Sequence, residues 1–163
     1  MLVERNPTTG LTVDLLGFVI EFLTPLDDDQ DFATMRGHIP AGGYIPLHSH
    51  DATESFLLES GSLKVLRIGV DGDHQWVTAQ PGDYVHIPNN VPHALHNPGT
   101  TEAVQLIGGT PRLARFLRDA ATPAGAPAQW SFLDGAARMT ETAERYGYWL
   151  ASPEENLRYG IPV

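Results

Sequence analysis

An all-β barrel or sandwich followed by a short helical extension is the fold class that this sequence predicts, and three observations predict it. Short β-branched and apolar stretches recur through the first two thirds of the chain. Turn signals built from Gly, Pro, Asn and Asp separate them about every eight to twelve residues. Helical spacing begins only after Gly108-Gly109-Thr110-Pro111. The 163 residues make one domain, long enough to bury a core without disulfide help.

Taken in order, Thr12 to Thr24 is β-branched and apolar with few helix signals, which predicts one or two strands ending at Pro25. The acidic run Asp27-Asp28-Asp29-Gln30-Asp31 reads as a solvated loop, with a surface cation site as the minority reading. Phe32 to Pro40 is a strand, Ala41-Gly42-Gly43 a turn, and Tyr44 to His50 the next strand. Glu54 to Leu58 alternates into a turn at Glu59-Ser60-Gly61-Ser62, and Leu63 to Val70 returns. Asp71-Gly72-Asp73 is a hairpin signal. Gln75 to Ala79 leads to a turn at Pro81-Gly82-Asp83, and Tyr84 to Ile87 runs into Pro88-Asn89-Asn90.

Leu113, Phe116 and Leu117 predict a short amphipathic helix that opens near Pro111 and runs to Ala121. Thr122 to Gln129, rich in Pro, Ala and Gly, reads as a linker. Asp134 to Tyr146 reads as a second helix with Met139, Ala143 and Tyr146 on one face. The tail to Val163 carries aromatic anchors without a clear period, suited to covering a barrel mouth or a partner subunit. The expected organisation is a jelly-roll barrel with its N-terminal strands and following helix over residues 1–121, and a linker with a helical tail packed on the same domain over 122–163.

Ten basic against 20 acidic residues give a net charge of −10, which argues against nucleic acid and anionic membrane surfaces as partners and for small molecules. The chain has no cysteine, so neither a disulfide framework nor thiolate chemistry is available. That composition suits a reducing cytosol, and a cytoplasmic location is the expectation. Met1-Leu2-Val3-Glu4-Arg5-Asn6 lacks the basic and apolar pattern of a signal peptide. The apolar stretch Leu15 to Leu23 is broken by Gly17 and Glu21 and is far too short to span a bilayer. Neither a glycine-rich nucleotide loop after a strand nor a P-loop is present, so no organic cofactor is expected.

Two spaced motifs carry the chemistry. Gly42 is followed after five residues by His48, after one by His50, after three by Glu54 and after six by Gly61. Gly82 is followed after five by Pro88, after four by His93 and after three by Asn97. The pair resembles the two motifs of the cupin superfamily, which implies a cupin jelly-roll β-barrel holding a divalent metal through His48, His50, Glu54 and His93. One position departs, with Asn90 where the second motif usually has glycine; asparagine is the residue that best tolerates the left-handed turn conformation glycine supplies. The physics agrees. Side chains alternate along a strand, so His48 and His50 face one way, about 6.5 to 7 Å apart at Cα, and can share an ion. Imidazoles joined by a carboxylate favour Fe, Ni, Mn, Cu or Zn over calcium and leave one or two positions open.

Read with its flanks, the chain is similar to bacterial quercetin dioxygenase-like single-domain cupins. The flanking matches are Gly17 with Glu21-Phe22-Leu23, Pro40-Ala41-Gly42-Gly43 with Pro46, and Thr110-Pro111 with Phe116-Leu117. Flavonol-cleaving members often carry four residues between the second histidine and the glutamate; here there are three, which shifts the approach of the carboxylate. The resemblance implies a mononuclear dioxygenase in which Glu54 takes the proton of a metal-bound enol or phenol and O2 cleaves the ring. It also implies a homodimer, joined through outer strands or the N-terminal segment. The same site without oxygen serves a metal-dependent isomerase or polyketide-type cyclase, and a third reading is a ligand-binding or sensor cupin without turnover.

Individual residues divide as follows. Glu54 is either a ligand only or also a base. Tyr44, Phe56, Leu58 and Leu95 share strand parity with nearby ligands, and are candidates for substrate contact or for plain core. His96 faces away from His93 and reads as a packing or surface residue; His86 reads as a satisfied structural histidine, with a cavity role as the alternative. His38 and His74 carry no special signal. Asn97 either orients a ligand or holds a turn. The inward set is apolar and poor in cations, which disfavours phosphorylated sugars and favours a hydrophobic ring compound; Arg67 is the barrel cation to inspect for an exception.

Overall fold

The structure is a computed structural model that describes residues 10–27, 31–69, 71–124 and 132–162. The N-terminal segment, the middle of the acidic run, Val70, the expected linker beyond Ala124 and Val163 lie outside the described residues.

Alternation of apolar and polar residues, bounded by turn chemistry, gives ten barrel strands: β1 Thr12–Leu15, β2 Phe18–Phe22, β3 Ala33–Ile39, β4 Tyr44–Ser49, β5 Glu54–Ser60, β6 Leu63–Ile68, β7 His74–Ala79, β8 Tyr84–Ile87, β9 His93–His96 and β10 Ala103–Gly109. Helix α1 spans Pro111–Ala120, β11 Thr122–Pro123, α2 Phe132–Tyr146, β12 Trp149–Leu150 and α3 Pro153–Arg158. Two antiparallel sheets result, ordered β11-β1-β2-β3-β10-β5-β8 and β12-β4-β9-β6-β7. This is the expected jelly-roll architecture with a helical C-terminal extension. β3 and β10 show strict alternation of buried and half-buried residues, so Met35, Ile39, Ala103 and Ile107 enter the space between the sheets. α1, capped by the Thr110 side chain and opened by Pro111, lays Leu113, Phe116 and Leu117 onto the same core.

A smaller apolar cluster lies on the other face of the five-stranded sheet. Leu47, Leu66 and Ala94 alternate with inward residues, and Ile161 of the tail covers them.

Several local features were not legible in the sequence. Thr12 to Thr24, expected as one or two strands, is two, and the turn between them was the hidden part: Leu16 and Gly17 both take positive φ, 56° and 96°, in a two-residue hairpin turn between Leu15 and Phe18. Leucine is not a turn residue, which hid the turn. The start of the expected linker pairs as β11 with β1. The tail holds α3, whose Ser152 and Glu155 form a capping box. In β4, Ile45 is opposite Leu95, yet His48 is opposite His93, so three steps on β4 match two on β9. That extra residue is a β-bulge, and it exchanges the faces on which residues before and after it sit.

Candidate metal centre

His48 near the end of β4, His50 just beyond it, Glu54 opening β5 and His93 opening β9 are brought together at one end of the barrel. Each imidazole is held in the same manner. Nδ1 of His48 donates to the Pro46 carbonyl at 2.8 Å, that of His50 to Ala52 at 2.7 Å and that of His93 to Val91 at 2.9 Å. With the proton on Nδ1, Nε2 of each ring carries the free lone pair. Ring centroids lie 4.1 Å apart for His48 and His93, 5.1 Å for His50 and His93, and 5.7 Å for His48 and His50. One nitrogen from each ring falls within 4.8 Å of the others.

Glu54 Oε2 approaches His50 Nε2 at 3.4 Å and His93 Nε2 at 3.6 Å. These approaches do not meet hydrogen-bond geometry, so both buried Nε2 atoms lack a hydrogen-bond partner among the described residues. Buried acceptors left unpaired are costly. Three converging imidazole nitrogens beside a carboxylate are a donor set that a divalent ion fits. Electrostatics favour the same occupant. Burial pushes the Glu54 carboxyl up, but the His50 and His93 imidazoles outweigh it and hold the group well below its ordinary range. Burial, helped by neighbouring His93 and His50, pulls His48 down to about 3. Burial also opposes the charged form of His50, yet Glu54 overrides it and raises its pKa.

The family model of the cupin domain, Cupin_2, matches residues 35–107, which contain all four of these residues. The barrel has the cupin fold. No curated protein matches the chain in sequence. Among solved structures it is similar to the polyketide cyclase RemF from Streptomyces resistomycificus, with TM-score 0.56 and 17% identity over 67% of this chain and 80% of that one. It is also similar to an oxalate decarboxylase variant from Bacillus subtilis, with TM-score 0.54 and 18% identity over 68% of this chain; the match spans 30% of that protein. An RmlC-like cupin from Shewanella frigidimarina gives TM-score 0.52 and 18% identity, over 68% of this chain and 95% of the other. No helix among the described residues is long and apolar enough to cross a membrane.

Inside the cupin barrel, Phe56, Leu58 and Leu95 are buried in the main core, at 1%, 0% and 4% exposure. Phe56 and Leu95 lie two residues along their strands from Glu54 and His93, and so form the next layer of the interior. Tyr44 does not join them. The bulge puts Ile45 into the main core in its place and turns Tyr44 to the opposite face, where it stacks on His96 with centroids 3.8 Å apart. His96 is therefore a packing residue. His86 is exposed and bonds Ser55 Oγ at 3.1 Å, and Arg67 is exposed. The fully buried side chain of Asn97 donates to Ile39, Pro40 and Thr101 carbonyls and accepts from Gly99 N–H. It holds turns at the far end of β9.

Residues that the sequence pattern missed come from the C-terminal extension. β12 pairs with β4, setting Leu150 opposite His48 and Trp149 opposite Ser49. Just before β12, Tyr148 packs its ring 5.5 Å from that of His50 and 4.8 Å from Phe116. Its hydroxyl is buried without a hydrogen-bond partner among the described residues, and burial pushes its pKa up to about 12. Arg112 lies 5.3 Å over both Tyr146 and Tyr148, and bonds Asp51 and the Tyr146 carbonyl. Two-residue pairing leaves no periodic trace; the one readable signal was Ser152-Pro153-Glu154-Glu155, a helix start that anchors the tail.

Proposed function

We propose that this chain is a metal-dependent, quercetinase-like cupin dioxygenase that cleaves a flavonol or related enolic or phenolic ring with O2. The observation that carries the reading is the convergence of three Nδ1-anchored histidines and an ionised Glu54 at the mouth of an apolar barrel. His48, His50, His93 and Glu54 would hold iron, nickel, manganese, copper or zinc. When bound, such an ion supplies Lewis acidity that lowers the pKa of a substrate hydroxyl, and a redox-active one also supplies electron exchange with O2.

The rest falls to the chain. The carbonyls of Pro46, Ala52 and Val91 keep the imidazoles from rotating, so the donor set is organised before substrate arrives. The Glu54 carboxylate, ionised throughout the neutral range, would accept the proton of a substrate hydroxyl only once a bound ion has lowered the pKa of that hydroxyl. Phe56, Leu95 and Ile45 make the interior next to the histidines apolar, which favours a ring compound over a phosphorylated sugar.

Oxygen uptake by protein loaded separately with each of the five metals, against a panel of flavonols and enolisable phenols, tests the reading. Metal-dependent uptake with a ring-cleaved product supports it. Tight metal binding with no uptake, and a product isomeric with its substrate, would replace it with the non-redox isomerase or cyclase.

A further inference from the structure

The C-terminal tail reaches the metal centre through a single peptide unit. The Leu47 N–H donates to Asn156 Oδ1 at 2.9 Å, and the carbonyl of that same unit, belonging to Pro46, accepts from His48 Nδ1 at 2.8 Å. A peptide unit is planar, so one rotation would disturb both bonds together. The unit lies within the β-bulge between Ile45 and His48, where the β9 ladder supplies no paired residue. The other side of Leu47 is fixed too, its carbonyl accepting from Ala151 N–H at 3.0 Å.

Asn156 is itself fully engaged. It is 2% exposed, and its Nδ2 donates to the Ala151 and Ser152 carbonyls, both at 3.1 Å. Its side chain therefore has one available orientation, with Oδ1 directed at Leu47. We propose that Asn156 is a positioning residue of the metal centre, fixing through the Pro46–Leu47 peptide the tautomer and direction of His48. The site is thus completed by a residue outside the 35–107 cupin match. This rests on His48 being a metal ligand and is independent of the reaction catalysed.

The test is cobalt(II) affinity of the full chain, read from its visible absorption, for Asn156→Ala in three backgrounds. Residues that orient a metal ligand typically change affinity by about tenfold or more. The expected result is a loss of that size in the wild-type and His93→Ala backgrounds and no further loss in His48→Ala, where the group acted upon is gone. An equal loss in all three backgrounds would mean general loosening of the fold and would overturn the proposal, as would no loss in any. If wild-type protein fails to bind cobalt, the ligand reading itself falls, an outcome distinct from either. Should Asn156→Ala not fold, Asn156→Ser carries the same comparison, because its short hydroxyl bonds the Ser152 carbonyl but cannot reach Leu47.

Discussion

His50 holds its proton more tightly than a free imidazole because the Glu54 carboxylate faces it, and a metal ion has to displace that proton. Apparent metal affinity should therefore rise with pH through and above the ordinary histidine value of 6.5, with proton release on binding. Cobalt titrations between about pH 6 and 8 with a pH indicator check this; affinity independent of pH would contradict it. His50→Ala and His93→Ala should each sharply lower bound metal measured by elemental analysis, whereas Glu54→Gln should keep metal and lose turnover. Wild-type turnover in Glu54→Gln would remove the carboxylate from the role of base. Gln105, 1% exposed on the inner face of β10 with neither amide atom paired among the described residues, is a different kind of residue. Gln105→Met should leave urea stability unchanged or raise it by about 1 to 3 kcal/mol, since an unpaired buried amide is lost. At this scale the metal set was legible because its spacing is a property of the chain alone. The face of Tyr44 is not legible there, because its orientation depends on a bulge formed with another strand.

Strands β3 to β8 are readable from the turn chemistry that bounds them, whereas elements defined only by pairing are not. Asn90 shows how turn chemistry reads: asparagine, the non-glycine residue that best tolerates a left-handed turn, has φ 60° here, and its N–H donates to the His50 carbonyl at 2.7 Å. Asn90→Gly should preserve stability, while Asn90→Val should cost about 1 to 2 kcal/mol in urea unfolding. Equal stabilities would show that the turn imposes no such demand. β12 shows the second case, since two residues carry no period, and their place beside β4 follows from contacts made a hundred or more positions apart. α3, six residues long, is likewise too short for a periodic signal, and its capping residues are the mark it leaves in the sequence.

The whole molecule should be acid-sensitive in a way its charge of −10 does not by itself explain. Glu54 has a lowered pKa, so its contribution to stability is present above the ordinary glutamate value of 4.5 and is lost as pH falls toward the folded value. His48, lowered to about 3 from 6.5, acts in the same sense over that interval, because the unfolded chain takes up a proton that the folded chain refuses. His50 opposes them, its contribution being complete below 6.5 and lost at higher pH. The Tm of metal-free protein should thus fall between pH 6.5 and pH 3, and added metal should raise it most at neutral pH. A Tm flat across that range would contradict the assignment of these groups.

Gly61 separates two kinds of information that the metal motif carries. Its φ is 81°, and a Cβ there would stand 2.7 Å from the Ala103 Cα and 2.8 Å from the Glu102 carbonyl oxygen, both main-chain atoms that cannot step aside. That demand comes from the turn meeting the start of β10 and has no dependence on an ion. A descendant of this chain could discard every imidazole and still be unable to place alanine at that position. The glycine in the pattern thus vouches for the barrel, and the histidines and glutamate alone vouch for the chemistry.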